Sequence, residues 1–142
     1  DNDFDLTFVW KQDGAGYNQY NFLGINGNDI KADVPNSGTD TAKHVGFYFV
    51  DSVLYASVAS GTTQTRTDIS SGVTFTNINV FRIAKTASQV LFYVNGTLKT
   101  TTTTNLPSGS GNMFLEFACE RHTSGSNSYY LANNYVYRVK TS

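Results

Sequence analysis

Covalent and electrostatic bracing are both scarce in this chain. Cys119 is the only cysteine among 142 residues, which excludes an intrachain disulfide. Charged residues make up 15% and the net charge is −1, so nothing draws the chain electrostatically to nucleic acid or to an anionic membrane. No apolar run approaches the roughly 20 residues that a bilayer-spanning helix needs. Histidine (His44, His122) and glutamate (Glu116, Glu120) occur twice each, which leaves little material for acid–base or nucleophilic catalysis. A period of 3.6 is not sustained over any stretch of about ten residues, so an amphipathic helix has no sequence basis. The chain opens at Asp1, with Met113 its only methionine, and reads as a processed chain or an excised domain.

What is present is a neutral, strand-forming composition. The hydrophobic share is 39%, with nine Tyr and ten Phe, and Thr, Ser, Asn and Gly fill the space that charge leaves. The length suits one domain, spanning 1–142, with a core that needs no staples. Cys119 alternates with Leu115 and Phe117 and reads as a small buried apolar residue; a catalytic thiol paired with the nearby His122 is the sharper and weaker reading.

Nearly every segment has period 2. Phe4, Leu6, Phe8 and Trp10 form one apolar face of an opening strand. Strands are predicted at 20–25, 30–34, 45–50, 53–59, 62–69, 73–78 and 80–84, with the pair 45–50 and 53–59 forming a tight hairpin. Val90, Phe92 and Val94 line one face of a further strand, and Asn95-Gly96 supplies the two positive-φ positions of a type I′ turn. The Thr-rich segment 97–104 returns, Leu106-Pro107 stops it, and another alternating strand runs to Cys119. Short strands at 129–131 and 135–139 finish the chain. This spacing predicts an all-β protein, an antiparallel sandwich or barrel. Phe47, Phe49, Val90, Phe92, Val94, Leu115 and Phe117 are the expected core, with Thr101 and Thr103 facing water.

The order F-R-I-A-K, V-L-F-Y-V-N-G-T-L, a Thr-rich strand, L-P, an alternating strand and a terminal V-Y-R-V resembles the concanavalin A-like (laminin-G-like) lectin/glucanase jelly roll. The resemblance runs from Asp3 to Val139, and its style is similar to modules on phage and virus-like particle proteins. It implies a jelly-roll sandwich and leaves function open among lectins, polysaccharide hydrolases, adhesion modules and particle-surface domains. Laminarinase-type members carry E-x-D-x-E on a strand before the hairpin. Here Glu116 and Glu120 follow the hairpin, and Ala118 stands where the middle acid would be.

The two glutamates are roughly 13 Å apart along an extended strand. Retaining glycosidases hold their carboxylates about 5–5.5 Å apart. The expectation is therefore no enzymatic activity and no catalytic residue. No cofactor is expected; calcium, which some members of the resembled superfamily bind, would have the oxygen-rich Asn26-Gly27-Asn28-Asp29 or Asp1, Asp3 and Asp5, neither spaced as an EF-hand loop. A sugar site is the stronger candidate: Tyr48, Tyr55 and Tyr93 fall opposite the inferred core face, where a phenol can stack on a sugar ring, and Arg82, Glu116 and Glu120 would join them on a concave sheet. Tyr and Thr on an outer face also serve strand stability.

These readings combine into a non-catalytic surface module, a structural, decoration or adhesion domain of a viral or extracellular assembly, located outside the cell or on a virion. Its partners would be protein neighbours in a particle or filament, including copies of itself, since the strands at 62–66 and 99–104 lack protective lysines as sheet edges. A carbohydrate-binding, lectin-like module is the alternative.

Overall fold

A computed structural model of the chain describes residues 3–11, 19–27, 42–50, 52–108 and 113–121. Among these residues nine strands are formed: β1 (Phe4–Trp10), β2 (Gln19–Asn26), β3 (His44–Val50), β4 (Val53–Ala59), β5 (Gln64–Asp68), β6 (Asn79–Lys85), β7 (Val90–Val94), β8 (Thr97–Thr102) and β9 (Phe114–Arg121). No helix occurs among the described residues. The strands make a four-stranded sheet, β1-β6-β7-β8, and a five-stranded sheet, β5-β4-β3-β2-β9, with every pairing antiparallel. The architecture is the all-β class that the alternation predicts, in the two-sheet jelly-roll form that the resemblance implies.

Period 2 decides which side chains meet between the sheets. Leu6, Phe8, Trp10, Phe81, Ile83, Val90, Phe92 and Val94 come from the four-stranded sheet, and Leu23, Val45, Phe47, Phe49, Leu54, Ala56 and Val58 from the five-stranded one. Phe47 meets Phe81 and Phe92 edge-on at centroid distances of 5.1 and 5.2 Å. Phe49 packs on Trp10 at 4.3 Å and on Phe81 at 5.4 Å. Such tilted contacts place a ring's positive edge against its neighbour's negative face.

The Asn95-Gly96 turn has φ of 52° and 79°, and it joins β7 to β8 with Val94 opposite Thr97. Asn95 also anchors the turn to β6: its amide and Oδ1 exchange hydrogen bonds with Val80, and its Nδ2 donates to Asn79 Oδ1. A register shift at Phe92/Tyr93 leaves Lys99 unpaired, so Thr100 and Thr102 lie opposite Phe92 and Val90 while Thr101 and Thr103 are exposed.

The rims of β5 and β8 are joined. Thr65 and Thr104 hydroxyls bond at 3.1 Å, Thr63 Oγ1 donates to Asn105 Oδ1, and Asn105 Nδ2 donates to Thr65 Oγ1, both at 2.8 Å. Lys99 Nζ adds a bond to the Ser71 carbonyl. Among the described residues the two Thr-rich strands expected to lie at sheet edges do so, and they are latched to each other.

Three expectations need correction. Residues 73–78 form turns instead of a strand, closed by Val73 N to Ser70 O and Asn77 N to Thr74 O; Phe75 is spent on a lateral contact with Phe49. Leu115 is 39% exposed, because β9 ends its sheet among the described residues and the core does not extend over it. Phe117 is only partly buried, although it packs edge-on against Phe8. The predicted strands at 30–34, 129–131 and 135–139 lie outside the described residues, as does the side chain of Cys119.

Phe92 is fully enclosed, so Phe92→Ala is expected to cost about 3–5 kcal/mol in urea unfolding. Leu115→Ala at the rim should stay below about 1 kcal/mol in the same measurement. Equal losses at the two positions would contradict this packing.

Candidate functional site

The residues of β3 that avoid the core, His44, Gly46 and Tyr48, alternate with Val45, Phe47 and Phe49 and lie on the outer face of the five-stranded sheet. Register sets their neighbours. Phe22, Tyr48, Tyr55 and Asp68 form one row across β2, β3, β4 and β5, and Glu116, Gly24, Gly46, Ser57 and Arg66 form the next, starting at β9. Register sets Gly24 opposite Gly46, and the Phe22 ring lies over them. A Cβ at position 46 would come within 2.2 Å of Phe22 Cε2, and one at position 24 within 2.3 Å of the Val45 carbonyl oxygen and 2.8 Å of Phe22 Cζ. The ring thus fills the trough that two glycines leave, and meets Tyr48 at a tilt at 4.8 Å and His44 edge-on at 5.9 Å.

Beside this aromatic group lies a polar network. His44 Nδ1 is 2.8 Å from the Ala42 carbonyl and Nε2 is 2.7 Å from Ser57 Oγ. The carbonyl can only accept, so Nδ1 holds a proton, and in the neutral ring Ser57 donates to Nε2. Gln64 Nε2 donates to Ser57 Oγ at 2.8 Å. The pair has the contacts of an activated serine, yet His44 and Ser57 are both wholly buried, so this arrangement orders the sheet and offers no open nucleophile.

Arg66, at the centre of β5, places its guanidinium over Tyr48 at 5.0 Å and Tyr55 at 5.3 Å from the ring centroids. Each such contact contributes about 0.5–2 kcal/mol, more as water is excluded. Its Nε and Nη2 are buried and have no hydrogen-bond partner. A buried donor without an acceptor costs about 1–3 kcal/mol. Asp68, the acid two residues further along β5, is engaged elsewhere: the Ser70 hydroxyl and amide both bond its Oδ1, which holds the carboxyl below the ordinary aspartate range.

The opposite outer face, on the four-stranded sheet, has a second arginine–tyrosine stack. Arg82 lies 4.9 Å from the Tyr93 ring centroid and forks onto Asp5, with Nε donating to Oδ1 at 2.8 Å and Nη2 to Oδ2. That hydrogen bond raises the guanidinium further above its ordinary value. Both partners are about a third or more exposed, so the pair adds at most about 1 kcal/mol.

The six expected sugar-contact residues therefore do not form one cluster. Tyr48, Tyr55 and Glu116 share the outer face of the five-stranded sheet; Arg82 and Tyr93 belong to the other sheet, on the far side of the core. Sequence alternation tells inside from outside but not one outer face from the other. Glu120 stands opposite Tyr20 in the β9–β2 register, four residues beyond Glu116, and its side chain is outside those described. Tyr48, expected as an open stacking ring, is 1% exposed, whereas Tyr55 and Arg66 are partly exposed. Arg66 was not among the expected residues, since only strand pairing brings it to the tyrosines. Among the described residues no three His, Cys, Asp or Glu gather as a metal site, and Asp5, one of the calcium candidates, is held by Arg82.

No protein-family model and no curated protein matches the chain. Solved structures do. The Bacillus licheniformis β-glucanase is similar with a TM-score of 0.63 and 12% identity, over 96% of this chain and 62% of that one. The Ruminococcus gnavus IT-sialidase CBM40, solved bound to α2,3-sialyllactose, is similar with a TM-score of 0.52 and 15% identity, over 71% of this chain and 53% of that one. The chain thus spans between about half and two thirds of the length of these proteins. At these identities the likeness is one of fold: the chain has a lectin- and glucanase-like, concanavalin A-like jelly roll.

The Phe22–glycine fit is directly testable. Gly46→Ala drives a methyl group into the Phe22 ring and is expected to cost about 1–3 kcal/mol by chemical denaturation. In a Phe22→Ala background the same substitution should cost less by about 1 kcal/mol or more. Additive effects would mean that Phe22 does not fill the trough.

Proposed function

We propose that this chain is a non-catalytic, carbohydrate-binding surface module that engages its ligand on the outer face of the five-stranded sheet. The observation that supports it is the Tyr48–Arg66–Tyr55 stack beside the His44–Ser57–Gln64 network. The buried members fix the position of the partly exposed Tyr55 and Arg66, so a flat phenol face and a guanidinium are presented with little ordering left to do on binding. The fold is one in which a CBM40 has been solved with sialyllactose. Absence of catalysis is part of the proposal: Ala118 interrupts the E-x-D-x-E pattern on β9, and β3, central in the sheet, carries no acid. In this reading the module works outside the cell or on a virion surface.

A glycan array on the intact chain is the test, with Tyr55→Ala expected to weaken the best ligand about tenfold, or 1.4 kcal/mol. Laminarin, lichenan, agarose and carrageenan should yield no reducing ends. Failure to bind any glycan would sink the binding proposal, and turnover lost in Glu116→Gln would sink the non-catalytic one.

A second reading, a structural or decoration role on a viral or other extracellular assembly, draws support from a different surface. Ile78, Val80 and Leu98 are 70%, 40% and 47% exposed at or beside the hairpin end of the four-stranded sheet. Apolar side chains so exposed suit a protein neighbour, including another copy. Sedimentation velocity should then show association that rises with concentration and is lost in Val80→Lys/Leu98→Lys. A monomer at every concentration in the native source and in vitro would remove this reading.

A further inference from the structure

We infer that Arg66 is an oxyanion-recognition residue, and that the glycans this module binds bear a carboxylate or a sulfate. The inference rests on the proposed carbohydrate-binding role and names the chemical class of ligand. It comes from comparing two stacks within one molecule. Arg82 lies on Tyr93 and Arg66 on Tyr48 and Tyr55, at similar centroid distances. Arg82 has its carboxylate: Asp5 takes both Nε and Nη2, the geometry that the guanidinium fork favours. On Arg66 the same two atoms, Nε and Nη2, have no acceptor. The molecule supplies an acid to one fork and withholds it from the other.

The surroundings of Arg66 make this more than an unpaired surface charge. Aromatic rings hold the guanidinium, which fixes its plane and removes the freedom of a long exposed side chain. The acid nearest along its own strand, Asp68, makes no ion pair with it and is turned to Ser70. Nη1 is not among the enclosed nitrogens, so the fork has one edge toward solvent and two donors behind it. A ligand oxyanion arriving through the open Nη1 would give Nη2, one of the two donors behind it, an acceptor, and the sugar ring that bears it would lie against the partly exposed Tyr55. Neutral sugars offer hydroxyls in place of an anion and gain less from the fork.

The experiment is titration of the intact chain with polygalacturonate, as the carboxylated probe, with carrageenan, as the sulfated one, and with laminarin, as the neutral one, at two ionic strengths. Binding to at least one anionic polymer at least tenfold tighter than to laminarin is expected, and the two anionic arms identify the source of the oxyanion. Arg66→Met, which keeps the stem and removes the charge, should abolish that preference. Arg66→Lys, which keeps the charge and loses the fork, should lower it about tenfold. Arg82→Met, which removes the same charge from the far face, should leave it unchanged. Thermal unfolding of each variant identifies a folding failure, and the lysine variant then decides alone.

Preference for anionic polymers that survives in Arg66→Lys, or that falls equally in Arg82→Met, overturns the inference. Binding of laminarin without an anionic preference also overturns it, while the carbohydrate-binding role stands. No binding to any polymer or array glycan removes both.

Discussion

The interlocked rings of Phe47, Phe49, Phe81, Phe92 and Trp10 are the contact on which the remainder of the structure depends. They come from both sheets and occupy the space between them, so they fix the separation and the strand register together. Period 2 makes that constraint strict. A slip of β3 by one residue would turn Phe47 and Phe49 outward and send His44, Gly46 and Tyr48 into the core. The outer-face chemistry is in this sense held from behind. His44 reaches Ser57, and Tyr48 lies under Arg66, because alternate residues of the same strand are locked between the sheets.

The outer faces show how little the fold alone says about function. Both sheets carry an arginine laid on tyrosine, and both arise from ordinary cross-strand or diagonal proximity. One is neutralised within the chain and the other is not, a difference made by which strand happens to carry Asp5. A sandwich of this kind tolerates such variation, because outer-face side chains leave the ring cluster untouched. Lectins and glucanases can share the architecture for the same reason.

The sequence was most readable where one short-range rule governs. Asn95-Gly96 adopts the backbone its residue types favour, and Val90, Phe92 and Val94 are buried as their alternation requires. It was least readable where several rules compete or where distance matters. Val73 and Phe75 alternate like strand residues, but the hydrogen bonds at Ser70 and Thr74 turn the chain first. Leu115 alternates correctly and is still exposed, since alternation reports direction and not coverage. For the candidate site the missing knowledge was strand order. Tyr55 and Tyr93 look equivalent along the chain, and only the division into two sheets separates them by the thickness of the core.

The threonine run that follows the extra residue Lys99 has a consequence for how β8 tolerates change in length. Deleting Thr100 would advance the following threonines by one place, turning Thr101 and Thr103 inward and Thr102 outward. Thr100 to Thr104 are chemically identical, so either alignment presents the same side chains to the core and to water. The run is degenerate with respect to its own register. What distinguishes the two alignments is its far end, where Thr104 and Asn105 must arrive opposite Thr65 and Thr63. The rim latch, and not the strand, keeps count of the residues.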